Sequence, residues 1–123
     1  MALGPVSITE IDERKAKTPD QQSGALLKCV PPAGVAVAVD ERGRQISSPD
    51  LAELLARERD NGAAEMVFLI GGADGHDETL RSAAQYNLSF GPMVWPHMLA
   101  RVMLSEQIYR AISILAGNPY HRA

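Results

Sequence analysis

The side chains that could do acid–base or anion-binding chemistry gather in the last quarter of the chain. His97 follows Pro96 where a helix is expected to start. An imidazole there can act as a base, grip a phosphate or simply cap the helix. Tyr120-His121-Arg122 makes a polar, basic tail behind Gly117-Asn118-Pro119. Such a tail is either free in solvent or docked over a site, where it would supply a stacking ring and a phosphate clamp. Glu106 and Arg110 have the i, i+4 spacing of a helix ion pair, and Arg101 lies a turn after His97. Earlier, Gly71-Gly72-Ala73-Asp74-Gly75 joins an apolar run to a helix start. Glycines there allow close backbone approach to a ligand, although the same residues also make a tight turn, and the spacing matches neither GxGxxG nor a Walker loop. No Cys/His cluster has metal-ligand spacing, so no metal site is expected. Neither a GxSxG elbow nor a nucleophilic-cysteine signature is present.

These residues must be held by the rest of a 123-residue chain, the length of one domain, 1–123. Its 46% hydrophobic content is that of a globular protein. A net charge of -3 argues against a simple nucleic-acid coat. The charge is uneven. Through Glu78 there are eight Lys/Arg against fourteen Asp/Glu, a balance of -6; beyond it Arg81, Arg101, Arg110 and Arg122 face only Glu106, a balance of +3. That asymmetry fits an anionic partner for the C-terminal part as well as ordinary surface variation. Cys29 is the only cysteine, which excludes an intrachain disulfide and reads as a buried thiol in a reducing compartment. No apolar run approaches the ~20 residues of a membrane span, and Met1 to Glu10 lacks a signal-peptide pattern, so a cytoplasmic location is expected.

Strands and helices alternate along the chain. Val6 to Ile11 alternates as a half-buried strand, and Gly34 to Val39 and Met66 to Ile70 are apolar runs typical of strands covered on both faces. Thr18-Pro19-Asp20-Gln21 and Ser48-Pro49-Asp50 open helices, Asn61-Gly62 stops the second, and Asp77 caps a third through Leu80, Ala83 and Ala84. Asp40 to Gly43 reads as a loop, Met93 to Trp95 as a short strand, and His97 to Ala116 as a long helix. The alternation predicts a parallel α/β sheet with its ligand site beyond the carboxyl ends of the strands.

Four segments together resemble the RlmH family of methyltransferases. Phe68-Leu69-Ile70-Gly71-Gly72-Ala73-Asp74-Gly75 is similar to its IGG-x-x-G segment, and Leu88 to His97, LSFGPMVWPH, to its LS-x-x-x-M-T-x-PH segment. Arg101-Val102 with Glu106 to Ala111 resembles its RV…EQ-x-YRA helix, and Asn118 to Arg122 its PYH-basic tail. The segments come in the family's order and spacing, covering the chain from about Ile8. The chain departs from the family pattern in its beginning, where Met1-Ala2-Leu3-Gly4 stands in place of a further strand and helix, and in Val94, where the family often has Thr.

The resemblance implies a SPOUT-type α/β knot, a parallel sheet flanked by helices with a C-terminal trefoil knot. It implies S-adenosylmethionine as cofactor, lined by Val39 at a strand end, Gly71 through its backbone, and the loop Phe90, Gly91, Pro92, Met93, Val94 and Trp95. His97, Tyr120 and Arg122 become the catalytic candidates, with Arg101 and Arg110 as RNA or tail contacts. The implied substrate is N3 of a pseudouridine in helix 69 of 23S rRNA in the assembled ribosome. The implied enzyme is a homodimer with active sites at the interface. A different RNA target, or a non-catalytic cofactor-binding or dimerisation module, would keep the same sequence features.

Overall fold

The structure is a computed structural model and describes residues 6–10, 18–70, 76–91 and 96–121. In chain order the elements are β1 (Val6–Glu10), α1 (Pro19–Leu27), β2 (Gly34–Gln45), α2 (Ser48–Asp60), β3 (Glu65–Ile70), α3 (Glu78–Ala83), β4 (Tyr86–Ser89) and α4 (His97–Ala116). The strands form one sheet in the order β1-β3-β2-β4 with every pair parallel. A parallel sheet is expected to be covered on both faces, and here two helices lie on each.

The period-two alternation in β2 assigns those faces. Val35, Val37 and Val39 point to one side with Met66, Phe68 and Ile70 of β3, and pack against Leu51, Leu54 and Leu55 of α2 and Leu104, Ile108 and Ala111 of α4. Ala36 and Ala38 point to the other side with Val67 and Leu69, under Leu26 of α1 and Leu80 of α3. Large residues on the first face fill the space under a long helix pair, and alanines on the second let α1 and α3 sit close. Each fully buried large side chain, Phe68 and Leu55 among them, stabilises the fold by roughly 1.5–3 kcal/mol.

Local signals set the helix ends. Thr18 caps α1 in a capping box with Gln21, and Pro19 occupies the first turn. In α2 the cap is Ser47, one residue earlier than the sequence suggested, because its hydroxyl and the Asp50 carboxylate complete the box. Asp77 caps α3, and Gly117 closes α4 with φ 75°, a left-handed value suited to glycine.

Two expectations need correction, and one strand was not anticipated. The chain through Asp40–Gly43 continues β2 rather than forming a separate loop, although pairing with β4 shifts there: Leu88 is partner to both Val39 and Arg44. A strand occupies Tyr86–Ser89, a segment too short and too polar to announce itself. Cys29 is exposed, because it lies just past the C-terminal end of α1, where its thiol donates to the Ala25 carbonyl. The strand expected over Met93 to Trp95 lies outside the described residues.

Candidate active site

Parallel topology brings the carboxyl ends of β2 and β4 together under the start of α2 and the middle of α4. A cavity of about 330 Å³ opens there. Its apolar wall is Val39, Ile46, Leu51, Leu88, Phe90 and Leu104. Its polar rim is Gln45, Ser47, Ser48, Ser89 and Gln107. An apolar slot with a few convergent polar groups is the usual form of a small-molecule site, and this volume is at the lower end of that range.

Of the residues expected to contact a cofactor, Val39 and Phe90 line the cavity. Gly91 follows with φ 116°, and its N–H donates to Ser89 Oγ at 2.9 Å, so the chain turns sharply out of β4. Gly71, Pro92, Met93, Val94, Trp95 and Arg122 lie outside the described residues. His97 is the first residue of α4. Gln45, Ser47, Ser48 and Gln107 were not anticipated as lining residues: Ser48 was read only as a helix start and Gln107 only as part of the EQ-x-YRA segment, and the two meet across 59 positions of sequence.

The tail through His121 folds back on α4. The Tyr120 hydroxyl donates to Glu106 Oε1 at 3.0 Å, and its ring meets Tyr109 edge-on with centroids 4.8 Å apart. The Arg110 guanidinium sits 4.9 Å from the Tyr120 ring centroid and donates to Glu106 at 2.7 Å. Arg110 Nη1 lies 3.1 Å from His121 Nδ1. A guanidinium only donates, so Nδ1 is the acceptor and carries no proton in this arrangement. Arg110 holds the Glu106 carboxyl below its ordinary range. Donation to that carboxylate pushes the Tyr120 phenol up. In this arrangement the Tyr120 hydroxyl is a hydrogen-bond donor.

A second polar cluster ties the ends of β2 and β3 together. Asp40, directly after Val39, accepts from the Arg42 side chain at 2.8 and 3.0 Å and from the His76 backbone N–H at 2.8 Å. Arg42 also donates to the His76 carbonyl. The His76 ring nitrogen Nε2 lies 2.8 Å from the Leu69 carbonyl; a carbonyl only accepts, so Nε2 bears the proton. Burial would raise the Asp40 pKa, but the bonds from Arg42 and His76 outweigh it and hold the carboxyl well below the usual range. Burial pushes the His76 imidazole down, only partly opposed by the Leu69 carbonyl and the Asp40 charge.

This has a consequence for stability. The unfolded His76 binds a proton near pH 6.5 and the folded one only at lower pH. Protons thus favour the unfolded chain, so the contribution is complete above about pH 6.5 and is lost as pH falls below it. We predict that the melting temperature of the protein drops between pH 7 and pH 5, with His76 contributing a slope of at most ~1.4 kcal/mol per pH unit. His76→Gln should flatten that slope, with His97 and His121 common to both proteins. Equal slopes in the two would refute the assignment.

Among the described residues no group of three or more His, Cys, Asp or Glu could hold a metal ion. No described helix is long and apolar enough to cross a membrane. A cavity at the strand ends is where parallel α/β sheets usually bind small ligands. The family described as "Predicted SPOUT methyltransferase" matches residues 2–121 and places the chain among these methyltransferases. The chain is 55% identical to the ribosomal RNA large subunit methyltransferase H of Dinoroseobacter shibae over 122 residues, 99% of this chain and 78% of that protein. It is 49% identical to the protein of that name in Ruegeria pomeroyi and 50% to that in Maricaulis maris, over the same shares. The chain belongs to the family these relatives form, the RlmH methyltransferases.

Proposed function

We propose that the protein transfers a methyl group from S-adenosylmethionine to N3 of a pseudouridine in helix 69 of large-subunit ribosomal RNA. The observation that carries this reading is the strand-end cavity, whose apolar slot suits an adenine and whose hydroxyl and amide rim suits a ribose and an amino acid. The relatives' names support the ribosomal RNA substrate. Val39, Phe90 and Gly91, with Gly71 and Pro92 to Trp95, would contact the cofactor. When bound, S-adenosylmethionine supplies an electrophilic methyl group. The protein's own part is to align the target nitrogen with it, a matter of positioning worth several kcal/mol, and to accept the N3 proton. Tyr120 as a stacking ring and Arg122 as a cation would hold the nucleotide, and His97 would accept the proton.

The chain would work as one domain whose C-terminal part forms a trefoil knot, as a homodimer in the cytoplasm. The dimer reading rests on α4: Met98 is 69% and Val102 64% exposed, an apolar face its own sheet does not cover. Light scattering of the purified protein should give twice the 13.3 kDa chain mass. S-adenosylmethionine should raise its melting temperature and change the fluorescence of Trp95, the only tryptophan. Labelled methyl should then pass to assembled ribosomes rather than free rRNA. A lack of binding at ~1 mM cofactor (a Kd that weak corresponds to only about 4 kcal/mol) would overturn the proposal. Binding without transfer would indicate a cofactor-binding module, and transfer to another RNA a different target.

A further inference from the structure

Gln107 stands between the cavity and the tail and bonds to both sides. Its Oε1 accepts from the hydroxyl of Ser48, in the first turn of α2 and on the cavity rim. Its Nε2 donates to Glu106 Oε2 at 3.1 Å. The other oxygen of the same carboxylate accepts from Tyr120 and Arg110, and Arg110 reaches His121. An unbroken path of hydrogen bonds thus joins the cavity wall to the tail.

The polarity of the path is fixed by chemistry. A carboxylate accepts only, so the amide must turn its nitrogen to Glu106 and its oxygen to Ser48. Ser48 must then donate inward, which leaves the lone pairs of its Oγ as acceptors. A cavity ligand with a hydroxyl or amino donor could complete the chain at that atom. Hydrogen bonds in series polarise one another, so such a donor would strengthen the links that hold Glu106 and, through it, Tyr120.

We propose that Gln107 is a positioning residue that couples occupancy of the cavity by a nucleoside-type ligand to the placement of the Tyr120-His121 tail. This rests on the reading of the cavity as the cofactor site. Coupling is reciprocal: if the ligand steadies the tail, the tail must tighten the ligand by the same factor. Residues that merely glue α2 to α4 would change thermal stability but would not alter the tail's effect on affinity.

The test is a double-mutant cycle on the full chain, with the Kd of S-adenosylhomocysteine read by calorimetry well below the melting temperature. Removal of Tyr120–Ala123 from the wild type should weaken binding by ~5-fold, the lower end of typical couplings. The same removal should have no effect beyond error in Gln107→Leu. Ser48→Ala cuts the path at its other end and should give the same silence, which guards against a Gln107→Leu protein that fails to fold. The proposal is overturned if the deletion weakens binding equally in all three backgrounds, because the tail would then act on the ligand without Gln107. It is also overturned if the deletion has no effect in the wild type. A wild type that does not bind S-adenosylhomocysteine at all removes the cofactor reading and this inference with it, whereas binding without coupling removes the inference alone.

Discussion

Removal of Tyr120–Ala123 should lower methyl transfer to ribosomes by ~100-fold or more, the scale of losing a positioned catalytic group, while cofactor affinity changes by no more than about 5-fold. The docked tail is the basis. Tyr120 donates to Glu106, meets Tyr109 edge-on and lies under Arg110, so its ring has a defined place on α4. Through Glu106 and Gln107 that place is tied to the cavity rim. A ring fixed in this way can receive a flipped-out base by stacking, which a free tail could not do at a useful rate. The measurement is incorporation of labelled methyl into ribosomes at saturating cofactor, alongside calorimetry. His97→Ala should lower transfer similarly, because it removes the group proposed to accept the N3 proton. If the deletion protein retains wild-type transfer, Tyr120 and Arg122 have no part in the active site.

Gly43→Val should cost the fold about 1–3 kcal/mol and weaken cofactor binding by at least ~10-fold. A Cβ at Gly43 would lie 2.5 Å from the carbonyl carbon and oxygen of Leu88 and 2.7 Å from its nitrogen. Those atoms are backbone and cannot rotate away. Glycine in a strand often marks such a close approach of another chain segment. Leu88 is the shared partner of Val39 and Arg44, and both Val39 and Leu88 wall the cavity. The larger side chain must therefore push β4 off β2 where the ligand would sit. Gly62→Ala is the control: it strains a φ of 86° in open space, far along the chain from the cavity wall, and should lower the melting temperature without changing affinity. Unchanged affinity in Gly43→Val would mean that the ligand does not use this wall.

Much of the framework could be read from local signals, each stated by neighbouring residues. Thr18-Pro19-Asp20-Gln21 capped α1 as expected, Gly117 closed α4, and the Val/Ala alternation of β2 made a doubly covered strand. Where the reading failed, the deciding partner was remote. Asp40–Gly43 carries charge and glycine, the composition of a loop, yet continues the strand because β4 pairs again with Arg44 and Gln45 beyond it, while Arg42 and the His76 backbone satisfy Asp40. Tyr86–Ser89 is four half-buried residues whose strand identity comes from β2. The cavity rim was invisible for the same reason: Ser48 and Gln107 acquire meaning only when α2 and α4 cross. A lone acid directly after an uninterrupted apolar strand, as in Val39-Asp40, was the one available hint of the buried cluster.

The strand order β1-β3-β2-β4 also governs how the protein can come into being. During synthesis β1 and β2 emerge first but are not neighbours, and neither can hydrogen-bond to the other in the finished sheet. Both must wait for β3, which slots between them. Until Ile70 has left the ribosome the apolar run Val35–Val39 has no native strand partner, and it is the kind of segment that invites wrong pairing. The cavity comes later still, because its last walls, β4 and α4, are made after everything they close upon. A nascent chain of this protein therefore carries an unpaired sheet edge until β3 is made, and its strand-end cavity closes only once β4 and α4 have followed.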